Sequence, residues 1–190
     1  MKITIAITGA SGTIYAHRLL AKLADNKEVK SIYVVMSDMA KEVAKHELSE
    51  TDLLHEIDTN SKAVLLNNND FFTPIASGSN SADVMVIIPA SMGSIGRIAA
   101  GISGDLIARA ADVMLKEEKK LIICPRETPL SLIHLRNLTT LKEAGATILP
   151  ATPSFYSQPQ TIEELVDSVI DRIIAQIGLE NNGFKWQASI

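Results

Sequence analysis

Lys2-Ile3-Thr4-Ile5-Ala6-Ile7-Thr8-Gly9-Ala10-Ser11-Gly12 is the stretch that decides the fold. Its β-branched residues through Thr8 read as a strand, and Gly9–Gly12 as a tight turn. Ile14, Leu19, Leu20 and Leu23 then recur at helical spacing. Strand, glycine turn and helix make the first unit of an α/β fold, and the rest of the chain repeats it.

Lys30–Met36 reads as a second strand, and Ser37 as the cap of a helix starting near Asp38. Residues 47–62 are polar and partly helical at best. Ala63–Leu66 is a short strand, followed by a long polar loop around Phe71 and Phe72. Val84–Ile88 is continuously apolar, as expected for a strand covered on both faces. The spacing predicts a small-residue helix over Ile95–Gly101, a second from about Gly104 to Lys116 and a strand at Leu121–Cys124. Thr128-Pro129 reads as an N-cap and first helical residue. Leu130, Ile133, Leu138 and Leu141 mark the helix it would start, and Thr147–Leu149 is a short strand. Thr161 and Glu164 form a capping-box pattern ahead of an apolar stripe from Ile162 to Ile177, with Gly178 as the stop. Strands alternate with helices at least five times. This predicts an α/β, Rossmann-like three-layer fold with a mostly parallel central sheet. One domain over 1–178 is expected, with a tail over 179–190 that Trp186 packs on the domain or on a neighbouring subunit.

Composition narrows the function classes. The 190 residues are 46% hydrophobic and 21% charged, which argues against disorder. The net charge of -4 and an aromatic content of 4% disfavour nucleic acid and acidic membranes as partners. A single cysteine, Cys124, allows no intrachain disulfide, and it reads as a buried strand residue. His17, His46, His55 and His134 have no metal-ligand spacing, so no metal is expected. The N-terminus has neither a signal-peptide nor a transit-peptide pattern, and no apolar run reaches membrane length. A cytoplasmic protein is expected.

In a parallel sheet, ligands collect beyond the C-terminal ends of the strands. Gly9–Gly12, Ser37, Pro89–Ser94 and Pro125–Glu127 all fall there. Gly9–Gly12 could present backbone N–H groups and Ser11 to a phosphate, or be a plain turn with Ser11 as a cap. Ser91, Gly93 and Ser94 form a second donor-rich turn, which either cradles a ligand or serves close packing. Arg109 lies among apolar helix positions and would need an anionic partner if buried or at an interface; pairing with an acidic residue within an oligomer is favoured slightly over ligand contact. Arg126 could bind phosphate in a planar fork and Glu127 could transfer a proton, the alternative being a local ion pair. Lys116, Tyr156, Arg172 and Glu47 would each read as surface residues when taken alone.

Thr8–Gly12 (TGASG), Pro74–Ser79 (PIASGS), Ala111–Glu117 (ADVMLKE), Pro125–Pro129 (PRETP) and Ser154–Gln160 (SFYSQPQ) together resemble the UbiX family of flavin prenyltransferases, within the flavoprotein/decarboxylase superfamily. The likeness covers nearly the whole chain. It implies transfer of a dimethylallyl group from dimethylallyl monophosphate to N5 and C6 of reduced FMN, without a metal, in a homododecamer. A UbiD-like decarboxylase would receive the prenylated FMN. The resemblance implies FMN contacts at Gly9, Ala10, Ser11, Ser37, Ser91, Met92, Gly93, Ser94 and Arg126. It implies a donor-phosphate site of Lys116, Arg126, Tyr156 and Arg172, with Arg109 nearby. It puts Glu127 beside the departing phosphate, Ser11 and Glu47 in a proton relay near flavin N5, and Phe71 or Phe72 along the prenyl group.

Ala90 stands where many relatives have cysteine, and Asp105 where asparagine is common; folding and FMN binding are expected to survive both. Two alternatives share the fold: an FMN-dependent cysteine-type decarboxylase, and a noncatalytic flavin-binding decarboxylase subunit. The first is weakened by PASMGS at Pro89–Ser94 in place of a PASANT motif.

Overall fold

The computed structural model describes residues 1–48, 50–180 and 183. Six strands, β1 (Lys2–Ile7), β2 (Ser31–Met36), β3 (Ala63–Leu66), β4 (Val84–Ala90), β5 (Lys120–Pro125) and β6 (Thr147–Ile148), form one sheet in the order β3-β2-β1-β4-β5-β6. All five pairings are parallel. Ile3 stands opposite both Ile32 and Val84, so β1 is central.

The helices are α1 (Thr13–Asp25), α2 (Asp38–Glu47), α3 (Glu50–Thr59), α4 (Met92–Ala99), α5 (Leu106–Lys116), α6 (Leu132–Glu143) and α7 (Ile162–Ile177). Alternation along each strand sends side chains to opposite faces. Ile3, Ile5 and Ile7 pack with α1, α2, α3 and α7, while Ala6, Met85 and Ile87 pack with α4, α5 and α6. The result is the expected three layers. On α7, Val166, Val169, Ile170, Ile173, Ile174 and Ile177 are all buried. Each contributes ~1.5–3 kcal/mol of apolar burial. Thr161 caps this helix and Gly178, at φ 100°, ends it, as the sequence indicates.

Several boundaries differ from the sequence reading. α4 starts three residues earlier than expected, because Ser91 caps it by accepting from the Ser94 N–H. α6 starts at Leu132 rather than at Pro129. Ser131 accepts from the His134 N–H, and His134 Nδ1 accepts from the Ser131 N–H, so the capping box sits there. Leu130 and Ile133 do not face the core: Ile133 is 68% exposed, and only Leu141 of α6 is buried. Residues 50–59 form a full helix, held to the core by Leu53 and Ile57. The polar loop after β3 contains two short 3-10 turns, Pro74–Ala76 and Gly78–Asn80. Trp186 and most of the expected tail lie outside the described residues.

Among the described residues, no helix is long and apolar enough to cross a membrane. No group of three or more His, Cys, Asp or Glu among them could hold a metal ion.

Candidate functional site

The strand order reverses between β1 and β4, so the chain leaves these neighbours toward opposite faces and opens a crevice at their C-terminal ends. Thr8, 1% exposed, ties the crevice floor together. Its Oγ1 donates to the Pro89 carbonyl at 2.8 Å and accepts from the Ser91 N–H at 2.7 Å. From the end of β5, the Arg126 N–H reaches the Ala90 carbonyl at 3.3 Å, and its Nε reaches the Ser11 carbonyl at 2.9 Å. The Ser37 N–H bonds the Ile7 carbonyl at 3.0 Å. One chain therefore assembles Gly9–Gly12, Ser37, Ser91–Ser94 and Arg126. Gly9 is required by close approach: an added Cβ would stand 2.6 Å from the Met39 Cβ on α2.

The donors in this crevice suit an anionic, acceptor-rich ligand. The N–H groups of Met92 and Gly93, at the α4 N-terminus, have no partner among the described residues. A Cβ added at Gly93 would meet nothing within 4 Å, so the space beside it is open. Arg126 uses Nε on Ser11, and its two terminal nitrogens have no hydrogen-bond partner among the described residues. Hydroxyls come from Ser37, Ser91 and Ser94. These residues fit FMN, whose phosphate needs cations and N–H donors and whose ring edge needs donors.

The N-terminus of α1 behaves differently. Gly12, at φ 111°, is its N-cap and supplies no side chain. Glu47, at the end of α2, fills the role instead. Its carboxylate accepts from the Gly12 N–H at 2.8 Å and the Thr13 N–H at 2.8 Å. Partial burial pushes the Glu47 carboxyl up, but hydrogen bonds from the Ser11 hydroxyl and from Thr13 and Gly12 outweigh it and hold the group below the usual carboxylate range. A carboxylate already occupies the donors that the glycine turn seemed to offer a phosphate. Beside it, burial raises the Tyr15 hydroxyl, partly offset by the Arg126 charge.

The other expected site residues divide between the two ends of the sheet. Glu127 is exposed just beyond β5, and its Oε1 accepts from the Thr128 N–H at 3.0 Å. Tyr156 stands exposed in the loop above β6. That loop is tied to β5 by the Ala151 N–H on the Pro125 carbonyl and to α7 by the Ser154 N–H on the Ser168 hydroxyl. Arg172 lines a recess of about 240 Å³ with Thr147, Leu149, Thr152 and Val169, and has no hydrogen-bond or ion-pair partner among the described residues.

Lys116 is elsewhere. It ends α5, four residues before β5 begins, where it pairs with Glu117. β5 runs from Lys120 to Pro125, roughly 17 Å at strand rise, so Lys116 and Arg126 lie at opposite edges of the sheet in one chain. Arg109 donates to the Ala76 carbonyl at 3.1 Å and pairs with Asp112 of its own helix at 3.0 Å. Phe72 is fully exposed and Phe71 is 44% exposed, so neither forms a closed wall within this chain.

Sequence reasoning missed three contributors. The sequence marks Thr8 as the end of a strand and the first residue of TGASG without giving it a role of its own, although a polar residue closing an apolar run before a glycine turn is a signal. Asp105 was read only as a departure; it caps α5 by accepting from the Ala108 N–H at 2.8 Å and pairs with Arg97 at 3.2 Å. Arg97 was passed over, and its guanidinium also reaches the Ser94 hydroxyl at 3.3 Å.

The family model "Flavoprotein" matches residues 1–174. A protein of Methanocaldococcus jannaschii named flavin prenyltransferase UbiX is 42% identical, covering 97% of each chain. Among solved structures, a dodecameric FMN-dependent UbiX-like decarboxylase from Escherichia coli O157:H7 superposes with a TM-score of 0.91 at 37% identity, covering 99% of this chain and 100% of that one. AnUbiX (PadA1), solved in complex with FMN and dimethylallyl pyrophosphate, gives 0.87 at 36% identity, covering 98% of each.

Proposed function

Because this chain belongs to the UbiX-like flavin prenyltransferase family, within the flavoprotein decarboxylase superfamily, we propose that it joins a dimethylallyl group from dimethylallyl monophosphate to N5 and C6 of reduced FMN. Phosphate is released, and the prenylated FMN passes to a UbiD-like decarboxylase. The observation that carries the reading is the crevice where β1, β4 and β5 end, joined by Thr8–Ser91 and Arg126–Ser11.

Gly9, Ala10, Ser11, Ser37, Ser91, Met92, Gly93, Ser94 and Arg126 would hold FMN. Reduced FMN supplies the nucleophilic atoms, so no protein nucleophile is needed. Arg126, Tyr156 and Arg172 hold the donor phosphate and stabilise the charge that develops as it leaves. Glu127, exposed beside this group, gives the leaving phosphate a proton. Ser11 lies beside Glu47 and helps hold its carboxyl low. With its carboxyl held low, Glu47 is ionised at neutral pH and serves as the accepting end of the relay.

Lys116 enters from a second copy of the chain. Within one chain it sits a strand's length from Arg126, and Arg109 shares its helix. The exposed Leu132, Ile133 and Leu135 of α6 and the bare Phe72 are surfaces that assembly would cover. The expected assembly is a homododecamer.

The test uses purified protein, anaerobically reduced FMN and dimethylallyl monophosphate. Mass spectrometry should show a prenyl-sized addition to the flavin, with free phosphate released in step. Bound FMN with neither product would instead favour a nonprenylating decarboxylase or a flavin-binding subunit. Glu127→Gln should bind FMN yet turn over ~100-fold or more slowly, the usual scale of a positioned acid. Unchanged turnover would remove Glu127 from the mechanism.

A further inference from the structure

Ser91 and Ser94 stand at the mouth of α4, with their hydroxyl oxygens 3.2 Å apart. One proton bridges the pair. Arg97, one turn along the helix, sends Nη2 to the Ser94 oxygen at 3.3 Å. A guanidinium can only donate, so Arg97 occupies an accepting position of the pair. The Ser91 oxygen accepts a further bond from the Ser94 N–H at 3.4 Å. Two hydroxyls carry two protons and only one lies between them, so the second must leave the pair. Ser94 is 5% exposed, and its hydroxyl donates to no partner among the described residues. A buried hydroxyl proton left unspent is costly unless a ligand takes it.

Arg97 is itself held in place. Asp105 divides its two oxygens, Oδ1 accepting from the Ala108 N–H at 2.8 Å to cap α5 and Oδ2 pairing with Arg97 at 3.2 Å. The guanidinium is thus fixed between the start of α5 and the serine pair.

We infer that Arg97 is a positioning residue which, anchored by Asp105, turns a proton of the Ser91–Ser94 pair outward as a hydrogen-bond donor to the flavin. This rests on the proposal that FMN occupies the crevice. Arg97 does not touch the ligand and acts through Ser94. A nearby cation also makes the hydroxyl a stronger donor, since charge-assisted networks polarise along their length.

Arg97→Met removes the guanidinium while keeping an unbranched side chain. Asp105→Asn keeps an oxygen to cap α5 but turns an amide N–H toward Arg97, releasing it without unmaking the helix start. FMN titration by fluorescence quenching, with the visible absorption of the bound flavin, reads both. Each variant should weaken FMN binding ~5–10-fold, the scale of one ordinary hydrogen bond, and shift the bound-flavin band in the same direction. Arg97→Lys should recover part of both effects. Ser94→Ala should do as much as Arg97→Met, and the double variant no more than Ser94→Ala alone. Arg97 is only a structural brace if Arg97→Met lowers Tm but leaves FMN affinity and the flavin band unchanged, or if the double variant adds the two losses; either overturns the inference. Failure of the unmodified protein to bind FMN overturns the reading of the crevice itself, and the inference with it.

Discussion

At the N-terminal edge of the sheet, lysines are consumed by the ends of helices. Lys62 Nζ bonds the Ala24 and Asn26 carbonyls at 2.7 and 2.8 Å, closing the end of α1. Lys120 Nζ reaches the Ile177 carbonyl at 3.2 Å at the end of α7, and Lys119 bonds the Ser81 hydroxyl at 2.8 Å. At the C-terminal edge, Arg126 spends one nitrogen on Ser11, and its two terminal nitrogens have no hydrogen-bond partner among the described residues. The fold accounts for the difference. In a parallel sheet every crossover helix starts near the C-terminal edge and ends near the N-terminal edge. Unbonded carbonyls therefore collect at one edge and unbonded N–H groups at the other. Cations at the first edge have internal partners. Cations at the second repeat the sign of the helix starts: Arg97 is held by the acid Asp105, Arg126 keeps two nitrogens available to an external anion, and the start of α1 is closed by another acid, Glu47.

The sharpest way to break this contrast is Arg126→Met. It should lower prenyl transfer ~100-fold or more, the scale of removing one charge-stabilising donor from a reacting phosphate. Tm should move by only a few degrees. Phosphate release and a melting curve on the same preparation decide the matter. Retained turnover would mean that the free cations of the C-terminal edge are surface residues.

Lys116 belongs to the N-terminal edge yet is proposed to act at the other, which only a second chain permits. Lys116→Met and Arg126→Met should each be strongly impaired as pure assemblies. In co-expressed mixtures, about a quarter of the sites pair an intact Arg126 with an intact neighbouring Lys116, if subunits assort at random. Activity should return toward that fraction. Mixtures no better than the weaker parent would place Lys116 outside the site.

What the sequence disclosed follows the range of the interactions involved. The β1–turn–α1 unit, the buried β4 and the capped, amphipathic α7 are written in residues a few positions apart, and all appear in the structure. The spacing of Leu130, Ile133, Leu138 and Leu141 marks a helix but not its start or its buried face: α6 begins at Leu132, and Leu132 and Ile133 point outward. Hydrophobic spacing shows that a face will be covered, not by what. The contact of Glu47 with Gly12 spans 35 positions. Nothing local announces it, and only family resemblance singled Glu47 out. The separation of Lys116 from Arg126 was legible and went unread: a helix that precedes a parallel strand must end at the edge where that strand begins.

A smaller effect concerns the acid at the C-terminal edge. Glu47→Gln removes the charge that closes α1, and should cost about 1 kcal/mol near neutral pH, the size of a helix cap. The sign in pH follows from the depressed carboxyl. Folding holds the charged form, so the stability is present above the ordinary carboxylate range and is lost as pH falls through the lowered value. The variant should therefore lose part of the acid-side slope of Tm against pH. Parallel slopes in the two proteins would mean that the carboxylate contributes no more than a neutral amide would.

Lys62→Met should have the least effect, and it makes the counterpart to Arg126→Met. Two carbonyls at the end of α1 would lose their ammonium partner, but the site is partly exposed and water replaces much of the bond. A loss of about 0.5–1 kcal/mol is expected, lowering Tm by about 1–4 °C in a chain of this size. Turnover per folded molecule should be unchanged, because the strands of the sheet lie between Lys62 and the crevice. If Lys62→Met instead reduced prenyl transfer in proportion to Arg126→Met, basic residues at the two edges would not be distinguished by the helix ends they face, and the sorting of cations by helix polarity would be wrong for this fold.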